Sequence, residues 1–340
     1  MQIGIDSFAS TQTAQGLADR TQHPLLMTQL LERIEVADQV GIHFFGVGEH
    51  HREDYLDAAP SLILAAAAAR TQQIKLSSAV TVLATADPVR VFQQYATLDL
   101  ISKGRAEIIA GRGSFSEAFP LFGVDFKDYD AIFEEKLALL VKLRDEPIVN
   151  WEGQFRPALH NQAVYPRPVQ DPLPIWRGIG GSIESCVRAG QMGLPLMIAI
   201  IGGSPLAFKN HIDTYRKTYA AAGHDPKNCK VGLHLLGYLE SNDQAAKDTF
   251  YPGYQEVFSK IGRERGWGPI TRRYYDQITG FDGALMVGNP ENIAQRLGYL
   301  NEVLGGIDRV TFQMSVAALA HEQLLDATHL IGKFLIPELI

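Results

Sequence analysis

The chain has 340 residues, 46% of them hydrophobic, with 31 basic side chains against 38 acidic ones. That length allows one large domain or two ordinary ones, and the apolar share is that of a protein with a full core. A net charge of −7 argues against a nucleic-acid partner, which needs a basic face. Only Cys186 and Cys229 are present, far apart, which excludes a disulfide framework and a thiolate zinc site and fits a reducing, cytoplasmic compartment. No basic-then-apolar opening suggests a signal peptide, and no uncharged run reaches the ~20 residues that cross a bilayer, so no membrane partner is expected.

Two hydrophobic periods alternate along the chain. Strands are expected at 2–5, 44–47, 75–82 and 105–110, then at 174–179, 196–201, 231–239 and 309–314. Most are apolar on both faces, the pattern of buried parallel strands covered by helices. Helical stripes lie between them. Leu26, Leu30, Ile34 and Ala37 form the first, with Gly41 as its stop. The apolar block 62–69 reads as a buried helix. Asp87-Pro88 opens another, with Val91, Tyr95 and Leu98 inward, because Asp caps free N–H groups and Pro suits the first helical position. Phe133, Leu137, Leu140 and Val141 mark the next, and the last is expected over 322–336.

Eight strands each followed by a helix predict an α/β fold, a (β/α)8 TIM barrel, as a single domain over residues 1–340. A doubly wound open sheet is the alternative. Two connections exceed the usual unit, 150–171 and 251–287, and are expected as insertion loops after strands 4 and 7.

In such a barrel the chemistry sits at the C-terminal strand ends. After strand two comes Glu49-His50-His51-Arg52-Glu53-Asp54, where imidazoles beside carboxylates could move protons near neutral pH. A polar strand end satisfied by salt bridges reads equally well. Adjacent residues point in opposite directions, and no metal-ligand spacing is present, so no metal is expected. After strand four, Gly111-Arg112-Gly113 lets backbone approach a ligand beside a cation, or forms an ordinary turn. After strand five, Gly178-Ile179-Gly180-Gly181-Ser182 feeds a helix N-terminus, which suits a phosphate, or simply a Ser182 cap. No Gly-x-Ser-x-Gly elbow points to a serine hydrolase.

Four stretches together resemble the bacterial luciferase-like, flavin-dependent monooxygenases. They are Gly46-Val47-Gly48-Glu49-His50-His51, the segment from Ala79-Val80 to Val89-Arg90, Leu98-Asp99-Leu100 through Gly111-Arg112-Gly113, and Pro174-Ile175-Trp176 through Ser182. The resemblance spans nearly the whole chain. It implies a barrel using FMN as FMNH2 with O2, through a C4a-(hydro)peroxyflavin, to oxygenate a small organic substrate. It implies a separate flavin reductase and a homodimer. Carried over by position, His50 and Glu49 are the catalytic candidates. Ala79 and Val80 match a strand-three site often holding a non-proline cis peptide. Gly111, Arg112, Gly113, Gly180, Gly181, Ser182 and Ser185 are the remaining cofactor candidates, and 251–287 lies where relatives carry a mobile screening loop. Two departures stand out. In the resemblance, the luciferase α subunit has a cysteine at the position of Gly111 and a phosphate-contacting arginine where Asp130 stands here. The rival readings are a deazaflavin (F420)-dependent hydride-transfer enzyme, a non-catalytic flavin-binding subunit and, more remotely, a metal hydrolase at the His pair. Phe8, Phe115, Phe119, Phe122, Tyr274 and Tyr275 are pocket candidates that could equally be core.

Overall fold

The computed structural model describes residues 1–13, 16–113 and 115–339. Ser114, which follows the Gly111-Arg112-Gly113 turn, lies outside the described residues. Alternate residues of a strand face opposite sides, so a strand apolar throughout needs cover on both. The chain meets that demand with eight parallel strands. They are β1 (Gln2–Ser7), β2 (Phe44–Val47), β3 (Lys75–Ser78), β4 (Ala106–Gly111), β5 (Ile175–Ile179), β6 (Leu196–Ile200), β7 (Val231–Leu239) and β8 (Arg309–Gln313). β1 pairs with both β2 and β8, which closes the sheet into a barrel. All eight expected strands are present. The third is shorter than expected, because the cis peptide Ala79-Val80 interrupts it before pairing resumes at Thr81–Val82 against β4.

The helices follow the stripes. α1 (His23–Gln39) buries Leu30, Ile34 and Ala37. α2 (Pro60–Ala68) buries Ile63, Leu64 and Ala67 but leaves Leu62 in solvent. α3 (Pro88–Ser102) starts where expected, with the Asp87 carboxylate accepting from the Val89 and Arg90 amides. α4 (Tyr129–Asp145), α5 (Ile183–Gln191) and α6 (Lys209–Ala221) complete the next units.

The two long excursions are more ordered than loops. The first holds an antiparallel hairpin, Ile148–Trp151 against Leu159–Ala163. The second is entered from within α7 (Asp243–Arg265), which starts before it and continues through Pro252, and it holds α8 (Arg272–Ile278). Pro252, Gly253 and Gly262 mask a four-residue stripe, Ala246, Phe250, Tyr254 and Phe258, that buries α7 on the barrel. Gly253 is needed there, since a Cβ would lie 1.8 Å from the Ala317 carbonyl oxygen. α9 (Pro290–Val303) leads into β8, and α10 (His321–Leu330) is followed by a π-helical turn, Ile331–Leu335, within the expected last helix.

The barrel interior is layered. At the N-terminal strand ends Arg309 is buried between the Phe44 and Trp176 rings, 4.1 and 4.5 Å away, and pairs with Glu107, which Lys75 also reaches at 3.1 Å. Above this plug Ile109, Trp176 and Met197 form a small apolar cluster with Val80 packed on it, separate from the outer core between sheet and helices. The space above that cluster opens at the C-terminal strand ends.

Candidate active site

The β2 tip divides its titratable residues between two tasks. His50 is buried and bonds through Nδ1 to Asp57, 3.0 Å away and fully shielded from solvent. An ionised Asp57 can only accept, so Nδ1 carries the hydrogen and Nε2 has no partner among the described residues. Burial pushes the Asp57 carboxyl above its usual 3.8, and the His50 hydrogen bond acts against that rise. His50 packs on Phe8 at 4.6 Å, Tyr55 at 4.3 Å and Phe115 at 5.7 Å. Burial pushes the Tyr55 hydroxyl up to about 12. Glu49 points elsewhere. Its Oε2 accepts from the Val82 amide at 2.9 Å and its Oε1 lies 3.3 Å from His51 Nε2. Glu49 therefore ties the β2 and β3 exits together.

The next three tips form a cradle. Gly111 and Gly178 lie under Val80; a Cβ on Gly111 would come within 2.5 Å of Val80 Cγ2, and one on Gly178 within 3.1 Å of Cγ1. The Val80 side chain thus makes an apolar floor over the two glycines. Gly113 follows with φ +81°. Arg112 is not a free cation, because Asp130 pairs with it while its guanidinium lies 5.5 Å from the Tyr129 ring. Asp130, one of the two departures, thus engages Arg112, one of the cofactor candidates.

At the β5 exit Gly181 has φ +131°, a conformation that favours glycine, and Ser182 caps α5 by accepting from the Ser185 amide at 3.3 Å. Ser185 is buried in the first turn. The Gly181 and Ser182 amides make no protein hydrogen bond among the described residues. Close by, Arg177 and Arg188 both pair with Glu134, and the Glu184 carboxylate takes the Ser182 hydroxyl at 2.8 Å. The turn offers unused donors at a positive helix end, the chemistry of an anion seat.

Sequence reasoning missed the opposite wall. Asp6 on β1 and His234 on β7 meet inside the barrel, Oδ2 to Nδ1 at 2.7 Å, with Thr311 Oγ1 on β8 3.2 Å from the same nitrogen. A lone histidine within the apolar run 231–239, and an aspartate at a strand tip, were the available signals. Asp57 had none, since it lies in a loop at no diagnostic spacing.

The aromatic candidates separate. Phe8 and Phe115 reach His50, and Phe122 meets the His51 edge at 5.0 Å. Phe119 packs on Phe126 and Tyr129, and Tyr275 is buried against Tyr251 and Tyr254, so both are core. The hydroxyl of exposed Tyr274 lies near Gly202. Helix α7 closes one side through Arg52, which bonds both oxygens of Glu264, and Arg52 also reaches Glu117 at 2.8 Å. A cavity of about 40 Å³ beside this clamp is lined by Arg52, Tyr55, Phe115, Lys260 and Glu264 among others. Among the described residues no cluster of three or more His, Cys, Asp or Glu side chains could hold a metal, and no helix is long and apolar enough to cross a membrane.

A closed parallel barrel whose strand tips gather an apolar floor, an anion seat and two His–Asp pairs belongs to an enzyme of small-molecule chemistry. The profile of the luciferase-like monooxygenases matches residues 5–306, and the chain belongs to that family. It is 29% identical over 301 residues to the N-acetyl-S-alkylcysteine monooxygenase of Bacillus subtilis (strain 168), covering 84% of each chain. The alkanal monooxygenase alpha chain of Photorhabdus luminescens is 26% identical over 222 residues, 64% of this chain and 59% of that one. Among solved structures, monooxygenase RslO1 from Streptomyces bottropensis superposes over 100% of both chains with a TM-score of 0.85 at 23% identity, a likeness of fold.

Proposed function

We propose that this monooxygenase binds FMN in its reduced form, FMNH2, and uses O2 to oxygenate a small organic substrate. The observation that carries the reading is the floor: the Val80 side chain, seated on Gly111 and Gly178, presents an apolar surface at the strand tips. A planar ring fits on such a face, and the unused Gly181 and Ser182 amides at the α5 N-terminus fit the phosphate of its tail. Ala79, Val80, Gly111, Gly113, Gly180, Gly181 and Ser182 would hold the group. Ser185 supports the turn through its amide, and Arg112 contributes a charge shared with Asp130. When bound, reduced flavin supplies the two electrons that O2 activation requires.

The chain's own residues have simpler work. His50, aligned by Asp57, holds or moves a proton at Nε2. Phe8, Tyr55 and Phe115 keep water from that nitrogen. Glu49 is a positioning residue through Val82. A single domain over 1–340, a homodimer, a cytoplasmic location and a separate flavin reductase belong to the same proposal.

The test supplies reduced FMN enzymatically and follows oxygen uptake against product across a substrate survey. Coupled uptake with His50-dependent product supports the reading. Preferential binding of the deazaflavin F420 over FMNH2 would replace it with hydride transfer. Flavin binding without turnover of any substrate would leave a binding subunit.

A further inference from the structure

A barrel interior is ordinarily filled with branched apolar side chains. Here β1, β7 and β8 instead present Asp6, His234, Thr311 and Gln313 as one buried polar wall. Their direction is fixed by their neighbours. Two residues before His234, a Cβ on Gly232 would strike Met197 and approach Trp176 inside the barrel, so His234 shares that inner face. Asp6 Oδ1 occupies the space over Gly46, where a Cβ would come within 2.1 Å of it. Phe8 stacks on His234 with ring planes 6° apart at 6.1 Å, and its ring also touches His50. The wall therefore stands across Phe8 from the His50–Asp57 pair.

This wall is incompletely satisfied, and in one sense only. Among the described residues Asp6 Oδ1 and Gln313 Oε1 are buried without a hydrogen-bond partner, although Asp6 Oδ2 holds His234 and Gln313 Nε2 donates to Ser315 at 3.0 Å. His234 Nδ1 bonds to Asp6, and Nε2, the acceptor of a ring whose one hydrogen lies on Nδ1, has no partner among the described residues. The open positions are all acceptors. Buried acceptors left unpaired are costly and uncommon in folded proteins, so their natural complement is a ligand with hydrogen-bond donors.

We propose that Asp6, His234 and Gln313 form the substrate-recognition wall of the site, selecting small molecules that carry an N–H or O–H group, such as amides or alcohols, over isosteres that lack one. His234 touches the substrate, and Asp6 is a positioning residue that fixes its tautomer. The inference deepens the monooxygenase reading and rests on it for the placement of substrate opposite the floor.

Two matched probe pairs test it: benzamide with acetophenone, and benzyl alcohol with ethylbenzene. Each is titrated into full-length protein carrying 15N-labelled histidine. Benzamide and benzyl alcohol are expected to shift the His234 Nε2 resonance and to bind about tenfold more tightly than their partners, the worth of one good hydrogen bond. Asp6→Asn is expected to change the His234 tautomer signature and His234→Gln to remove the shift, and both should erase the donor preference. Equal affinity within each pair, or a preference that survives both substitutions, overturns the proposal. Should both variants misfold, the wild-type comparison decides alone. FMNH2 titration is run separately: failure to bind flavin defeats the proposed function, whereas the donor preference judges the wall.

Discussion

His50 illustrates how one side chain acquires a role from its partners. The imidazole is neither exposed nor simply packed, because Asp57 fixes Nδ1 while three aromatic rings pack around it. His50→Ala should leave FMNH2 affinity nearly unchanged while lowering coupled oxygenation by about 10²–10⁴-fold, the usual contribution of a positioned acid–base group. An oxygen electrode read beside product formation measures both, and wild-type coupling would remove His50 from the chemistry. Val80 offers a packing counterpart. Gly111→Ala places a methyl group into Val80, whose branched side chain has few rotamers to yield with, and should cost about 1–3 kcal/mol. Val80→Ala in the same chain should recover part of that loss. Urea midpoints of the two single variants and the double variant close the cycle, and additive losses would mean the two residues do not compete for space.

Elements reach the site through their ends. Helix α3 begins beside the β3 exit because Asp87 accepts from two otherwise unpaired amides. Asp87→Ala should cost about 1 kcal/mol, visible as a lower denaturation midpoint with an unchanged urea slope. Helix α7 depends on Arg52, whose paired oxygens on Glu264 are partly in solvent. Exposed ion pairs are worth about 0–1 kcal/mol, so Arg52→Ala should barely alter global stability. It should nevertheless speed amide exchange over 256–265, since Arg52, beside the Asp54–Lys260 pair, is one of the points where the β2 tip holds that segment. Unchanged exchange there would show that the buried stripe and the Asp54–Lys260 pair keep α7 in place without Arg52.

For the molecule as a whole, the ion pair at the barrel base governs acid stability. Burial by itself raises the Glu107 carboxyl, but Arg309 and then Lys75 outweigh it and hold the group below its usual 4.5. A carboxylate depressed in the folded state stabilises fully above its unfolded value, and that stability is lost as pH falls through the folded value. Stability should therefore decline below about pH 4.5. Glu107→Gln should flatten that decline, and at neutral pH it should cost about 3–5 kcal/mol by leaving Arg309 buried without its counter-charge. Guanidinium unfolding at several pH values checks both, and parallel pH curves for the two proteins would exclude Glu107 as the source.

The sequence by itself determined the barrel. Each strand and helix announces its period locally: β1 to β8 through apolar runs, α3 through Asp87-Pro88, and the site's rim through the rule that places chemistry at strand ends. It also determined the family, because Glu49-His50-His51, Ala79-Val80 and Gly180-Gly181-Ser182 stand in an order and spacing that chain position preserves. Only the tertiary structure decided the partnerships. Asp57 turning back to His50, Asp6 meeting His234 from the far end of the chain, and Asp130 occupying Arg112 are contacts between residues that no local period relates. The same reason explains α7, where Pro252 and the nearby glycines disguise a stripe that becomes legible only once the barrel supplies the surface it covers. Periodicity is a property of a segment. A hydrogen bond across the barrel is set by the closure of the sheet.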